Sequence, residues 1–377
     1  MPDTSNNQVR PQCLTTFIGE TTFAILLANE KASEMSDEWP IHDLEVLGAC
    51  PVCQSQERNL MFSGLRDFTF ATAPGEWTMW RCNSCDAAYL DPRPTPASIG
   101  RAYCHYYTHA GTDATLRERI ASGLANNYIN TTYGYRLPAI PFGALIWHAS
   151  PRKSRSADQK IRHLPFPSHP RTNLLDAGCG NGEFMKLAGK LGFCPFGLDP
   201  DEQAIILARK AGLDVQKGTL PGSGLPRGSF DHITVNHVLE HLHQPLEALE
   251  ELRELLKPGG RLWISQPNLG ASGLKEFGVY WRGLEPPRHL TLFDTQGIRR
   301  ILERCGFVDI KLLPPPPSAS FYYRQSLYQK NGVAPYEKEV RPFWNKAWER
   351  KARQADDEAE ADPQLAEALT MIARRHH

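Results

Sequence analysis

The chain has 377 residues, 41% hydrophobic and 22% charged, and its 42 basic and 42 acidic side chains give a formal charge of zero. That composition is globular, predicts two or three domains at roughly 100–200 residues each, and argues against nucleic acid as a partner, since a polyanion binder carries a basic excess. The longest apolar stretches, 23–28 and 138–147, fall far short of the ~20 residues that span a bilayer, and residues 1–11 lack an export pattern, so a cytoplasmic protein with no membrane partner is expected.

In chain order, residues 1–45 form an extension without recognisable chemistry. Residues 46–96 hold short β-like runs around two cysteine pairs and close on the turn-rich Asp91-Pro-Arg-Pro-Thr-Pro. Residues 97–148 read as a helical lid or substrate segment rich in aromatics. The Pro-, Ser- and Arg-rich stretch 149–171 has no apolar period and reads as a linker or exposed loop. From 172 to 317 strands and helices alternate. Strands are expected at 173–177, 194–199, 213–217, 230–236, 260–266 and 307–313, and helices at 183–191, 201–211, 245–256 and 295–305. This βαβ cadence predicts an α/β fold, a doubly wound Rossmann-like sheet with helices on both faces, preceded by the small β module and the helical segment. The tail, 318–377, reads as helical and charged, with an acidic run at 356–362.

The cysteines are unevenly placed. Cys13, Cys104, Cys179, Cys194 and Cys305 are single, whereas Cys50-Pro-Val-Cys53 and Cys82-Asn-Ser-Cys85 are paired. Two tight turns supplying two thiolates each suit a closed, structural zinc site of zinc-ribbon type. A redox dithiol and ordinary buried cysteines are the other readings.

The strongest chemical signal is Asp176-Ala-Gly178-Cys179-Gly180-Asn-Gly182, after a strand and opening a helix. Glycines let the backbone turn sharply and approach a ligand. A second acid, Asp199, ends the next strand, where a carboxylate suits ribose hydroxyls. The spacing is Gly-x-Gly-x-Gly rather than the phosphate-binding Gly-x-Gly-x-x-Gly, and the leading acid favours a cationic ligand group.

Over residues 172–313 the sequence resembles the class I S-adenosylmethionine (SAM)-dependent methyltransferases. The resemblance rests on the glycine motif, on Leu198-Asp199-Pro200, on the segment from Ser229 to His241, and on Leu255-Leu-Lys-Pro-Gly-Gly-Arg-Leu. It implies SAM as cofactor, with Asp176, Gly178, Cys179, Gly180 and Gly182 near its methionine part. It further implies Asp199 and Pro200 at the ribose, Gly218, Thr219 and Leu220 flanking the adenine, and Asn236 and His237 bordering the pocket. The stretch from Cys50 to His109 resembles the N-terminal region of bacterial glycan and secondary-metabolite methyltransferases, including sugar C-methyltransferases. That resemblance makes Tyr106, Tyr107 and His109 candidates for the pocket lid, an aromatic packing cluster being the other reading. Trp281 is a further candidate for stacking on a substrate ring, or for the core.

Asn236-His237-Val-Leu-Glu240-His241 falls where the fourth strand ends, and on a helix His237, Glu240 and His241 share one face. His289 lies beyond the fifth strand. The cluster resembles the Glu-x-x-Glu-His metal site of O-methyltransferases of ubiquinone biosynthesis and small-RNA 2′-O-methylation, with histidine at 237 in place of glutamate. In that reading His237, Glu240, His241 and His289 hold a second divalent metal, with zinc or manganese preferred over magnesium. In the alternative, His289 is a general base, by similarity to sugar C-methyltransferases, although Arg288 stands where those have an acid. In the third reading Glu240 and His241 only brace the pocket.

The sequence thus predicts a methyltransferase acting on oxygen or carbon of a small-molecule or glycan acceptor. The alternatives are an RNA methyltransferase gripping phosphates with the zinc module and Arg152, Lys153, Arg155, Lys160 and Arg162, and a non-catalytic SAM-binding scaffold.

Overall fold

The computed structural model describes residues 38–103, 115–333 and 343–377. Strands β1 (Arg58–Leu65), β2 (Trp77–Cys82) and β3 (Ala88–Leu90) form an antiparallel meander carrying the cysteine turns. Helix α1 (Leu116–Tyr133) opens on a reciprocal capping box, in which Thr115 accepts from Glu118 N–H and the Glu118 carboxylate accepts from Thr115 N–H. Helices α2 (Gly143–His148) and α3 (Pro151–Lys160) follow. Then come β4 (Asn173–Ala177), α4 (Glu183–Lys190), β5 (Cys194–Asp199), α5 (Glu202–Lys210), β6 (Val215–Lys217), β7 (Phe230–Asn236), α6 (Pro245–Leu255), β8 (Leu256–Pro267), α7 (Ser272–Phe277), β9 (Thr291–Leu292), α8 (Thr295–Arg304) and β10 (Phe307–Leu312). Helices α9 (Ala319–Lys330) and α10 (Lys346–Ala361) lead to β11 (Ala368–Arg375).

The main sheet has the order β10-β11-β8-β7-β4-β5-β6, parallel except for β11. The expected alternation of strands and helices from 173 to 312 is therefore present, in a doubly wound α/β sheet. The tail was expected to be helical only. Instead β11 is inserted between β8 and β10, pairing antiparallel with both, and Leu369, Met371 and Ala373 point into the core. The stretch 149–171 was expected to be an open linker, yet it contains α3. Pro151 starts that helix and Ala157 anchors it in a cluster with Ile161, Leu164 and Leu174. Two ion pairs, Arg152–Asp357 and Arg155–Glu360, hold it against α10.

The cysteine module is not separate from the sheet domain. Its β3 pairs with β9 in the second sheet, ordered β9-β3-β2-β1, and Cys50, Val52, Cys82 and Tyr89 share a core with Leu249, Ile264, Phe293 and Ile301. One buried cation seals the joint. Arg288 Nη1 donates to Asp67 Oδ2 (3.0 Å) and Ala102 O (2.9 Å), its Nε donates to Glu285 Oε1 (2.9 Å), and Nη2 bonds Asp67 Oδ1. Trp281 is also internal. Its Nε1 donates to Glu367 Oε2 (2.7 Å) and its ring stacks on Tyr322, so its indole braces the C-terminal segment rather than facing a substrate.

Burial sets a pH dependence. His163 and His232 are each pushed down to about 4, first by desolvation and then by Arg261 nearby. Both then stay neutral in the fold while the unfolded chain takes up protons below about 6.5, so stability falls as pH drops through that window. Each costs about 2 kcal/mol by pH 5. Burial raises Glu367 to about 7, which returns about 2 kcal/mol over the same interval, because a raised carboxyl favours the fold as pH falls. With His289, which desolvation also holds at about 4, the unfolding free energies at pH 7 and 5 are expected to differ by a net loss of about 4 kcal/mol, and His232→Phe should shrink it. A midpoint that does not move would contradict this.

Candidate active site

The turn after β4 is built from three left-handed glycines. A Cβ on Gly178 (φ +76°) would lie 2.2 Å from Val238, and one on Gly182 (φ +81°) 2.1 Å from Leu213. Gly180 (φ +53°) differs, with no atom within 4 Å of such a Cβ, so this part of the turn faces open space. Gly180 N–H donates to Asp199 Oδ2 (2.8 Å) and Asp201 N–H to Asp199 Oδ1 (2.9 Å). The carboxylate at the end of β5 is thus fixed against the glycine turn. Gly218 N–H donates to Asp199 O (3.0 Å), which places the 218–220 segment beside it, with Leu220 buried. Pro200 is exposed, Asn236 is half-buried, and the Cys179 thiol is buried with its pKa pushed up by desolvation.

Asp176 is fully buried. It forms an ion pair with Arg162 and accepts from Thr234 Oγ1 (3.0 Å), while the guanidinium lies over the Phe184 ring at 3.6 Å. Burial raises the carboxyl, against the opposing pull of Arg162. Arg162 is therefore not a free basic residue, and with Arg152 and Arg155 paired to α10, three of the five cations proposed to grip RNA are already engaged. No signal in the sequence tied Arg162 to Asp176.

The histidine–glutamate segment does not form the expected helix. His237 sits at φ +54° with an exposed ring, and only a single 3-10 turn, Leu239–His241, follows. The ligand atoms of Glu240, His241 and His289 lie within 4.8 Å of one another, without His237, which instead bonds Glu240 Oε1 through Nδ1 (3.2 Å). His241 Nδ1 lies 3.0 Å from Arg288 O and His289 Nδ1 2.7 Å from Gly283 O. A carbonyl only accepts, so each Nδ1 carries a proton, and in the neutral form of either ring Nε2 holds the lone pair. Glu240 Oε2 has no hydrogen-bond partner among the described residues. Two imidazole lone pairs and one orphan carboxylate oxygen can hold a divalent cation or accept a proton. Desolvation keeps His289 down at about 4, hence neutral. Burial alone would raise Glu240, but its bond to His237 and the neighbouring histidines hold it below the usual carboxylate range.

Two neighbours escaped the sequence reading. Tyr103 Oη lies 3.0 Å from His241 Nδ1, and Glu285 Oε2 lies 3.7 Å from His289 Nε2. The aromatic-rich run that begins at Tyr103 was the available clue to the first; nothing marked the second. Tyr106, Tyr107 and His109 lie outside the described residues.

In the cysteine module the four sulfurs also lie within 4.8 Å of one another, with Cys50–Cys85 at 3.6 Å and Cys53–Cys82 at 3.4 Å. Four thiolates about 2.3 Å from a tetrahedral zinc stand about 3.8 Å apart, so the donor set and spacing fit that ion.

Residues 147–312 match the family described as "Methyltransferase domain". The chain is 37% identical over 101 residues to the mitochondrial ubiquinone biosynthesis O-methyltransferase of Schizosaccharomyces pombe, covering 24% of this chain and 36% of that protein. It is 31% identical over 128 residues to the malonyl-[acyl-carrier protein] O-methyltransferase of Serratia marcescens, covering 33% and 49%. The chain thus spans less than half the length of these two relatives. A solved SAM-dependent methyltransferase from Archaeoglobus fulgidus aligns over 62% of this chain and 99% of its own, at 21% identity and a TM-score of 0.40. Residues 147–312, a little under half of the chain, are thus similar to a methyltransferase domain. No helix among the described residues is long and apolar enough to cross a membrane.

Proposed function

We propose that this chain, as a class I methyltransferase, transfers the methyl group of SAM to an oxygen or carbon of a small acceptor, of small-molecule or glycan type. The observation that carries the reading is the pairing of an open glycine turn and fixed Asp199 with two imidazoles whose Nδ1 atoms are each tied to a backbone carbonyl. SAM, when bound, supplies an electrophilic methyl on a sulfonium. The Asp199 carboxylate would accept the ribose hydroxyls, and the backbone at Gly180 would approach the methionine part. The chain's remaining task is to align the acceptor in line, exclude water and remove its proton. His289 takes that proton at Nε2 while Gly283 O holds the ring by Nδ1, and Glu285 steadies the imidazolium that results. His241, oriented by Arg288 O and Tyr103, lies beside it. The convergence of Glu240, His241 and His289 also favours a second reading, in which these three hold a divalent ion that acidifies an acceptor hydroxyl. The Cys50, Cys53, Cys82 and Cys85 cluster would hold a structural zinc.

Methyl-labelled SAM incubated with the protein and fractionated extract should label small molecules or glycans rather than RNA or protein. His289→Ala should lower that transfer by about 10²–10⁴-fold with SAM affinity unchanged. Label confined to RNA, or full activity in His289→Ala, would sink the reading, and a rate restored by added Mn²⁺ or Zn²⁺ after chelation would move it to the metal form.

A further inference from the structure

Exposed large apolar side chains cluster on one face. Leu116 and Ile120 of α1, Ile140 and Phe142 of the connection, and Leu145 and Ile146 of α2 are all exposed, Phe142 by 75%, Leu116 by 73% and Leu145 by 70%. Packing fixes them side by side. Ile140 N–H donates to Gly123 O (2.9 Å), and a Cβ on Gly123 would strike the Ile140 side chain at 2.7 Å. At Gly143 a Cβ would meet Leu124 O at 2.0 Å, so α2 lies directly against α1. On α1, Leu116, Ile120 and Gly123 fall at helical spacing on one side.

Phe142 adds a second observation. It sits in the left-handed region (φ +67°), where a bulky side chain is disfavoured, and its ring points to solvent, so the fold strains its backbone without burying the ring. A contact outside the chain would compensate both. Charge indicates which contact. Arg117, Arg119 and Arg136 interleave with these apolar residues, are exposed, and have no acidic partner among the described residues. Among the described residues of the patch the one acid, Glu118, is occupied by the helix cap. Aliphatic side chains offer bases nothing to stack on, whereas a basic rim around aliphatic and Phe residues matches the interface of an anionic bilayer.

We propose that this face docks on an anionic lipid surface, with Phe142 and Leu145 entering the headgroup–acyl boundary and the three arginines meeting lipid phosphates. The contact is peripheral, and it holds independently of the acceptor's identity.

The test uses the full chain and vesicles of phosphatidylcholine, with and without phosphatidylglycerol. The protein should co-sediment with the phosphatidylglycerol vesicles at low ionic strength, release as salt is raised, and ignore phosphatidylcholine alone. The double variant Phe142→Ser, Leu145→Ser should weaken binding by at least about tenfold while keeping the wild-type melting curve and SAM affinity. Arg136→Gln should flatten the salt dependence. No vesicle binding by the wild type at low salt, or equal binding by the double variant, would overturn the proposal. So would a wild-type dimer that the double variant renders monomeric, which assigns the face to a second copy. Slow deuterium uptake at 116–146 that quickens when residues 1–37 are deleted would assign it to this chain's own N-terminal segment.

Discussion

Cys82→Ser is expected to release bound zinc from the purified protein and to melt the cysteine module, with the largest stability loss of any single substitution considered. Metal binding to four thiolates carries about 10 kcal/mol or more of folding energy in small modules, since no preformed site exists in the unfolded chain. Here the sulfurs stand 3.4 and 3.6 Å apart in facing pairs, and Cys50 and Cys82 are fully buried within the shared core. The module also touches the sheet domain through α8, where Arg304 donates to Val52 O (3.1 Å) and Arg300 to Cys85 O (3.1 Å). Losing the metal should therefore loosen β3–β9 pairing and, through β9, the loop that presents His289. Metal content by atomic emission and a thermal melt with and without chelator check this. Zinc-free protein with an unchanged melt in Cys82→Ser would mean that the four cysteines pack as ordinary thiols.

Arg288→Met should cost about 3–5 kcal/mol, the usual penalty for removing one partner of a fully buried ion pair. Methionine fills similar volume, so the loss reports charge rather than a void. Asp67 and Glu285 would both remain buried as anions. Asp67 keeps the N–H groups of Phe70, Thr72 and Ala73, and Glu285 keeps Arg282, which places the expectation toward the lower end of that range. Because the Arg288 side chain also pins the segment whose carbonyl at 288 orients His241, the variant should lose activity beyond its loss of stability, and activity should not return when the assay is cooled well below the new melting point. Recovery on cooling would show that Arg288 acts on stability alone.

Much of the sheet domain was legible because several of its strands are short apolar runs that end at, or just before, Gly, Asn or Asp. Phe230–Asn236 and Cys194–Asp199 begin and end where the pattern placed them. The glycine turn was legible for a local reason, since three left-handed positions in five residues leave few alternatives to glycine. The features that escaped depend on distant partners. Strand β11 follows an acidic helix and shows only weak apolar alternation, and it becomes a strand because β8 and β10 flank it. Helix α3 has a single buried alanine, and the ion pairs that help to seat it reach α10, some two hundred residues along the chain. Helical spacing grouped His237 with His241, but the left-handed backbone at His237 turned its ring away and left room for His289, which no local period could place.

The place of β11 also orders the chain's assembly in time. Strand β10 precedes β11 by some 55 residues, yet among the described residues its only neighbour in the sheet is β11. Throughout synthesis of α9 and α10 the growing chain must hold β10 and the open edge of β8 unpaired, the kind of exposed edge that invites aggregation. Closing the sheet between β8 and β10 is then a long-range event, while β8-β7-β4-β5-β6 pair without it.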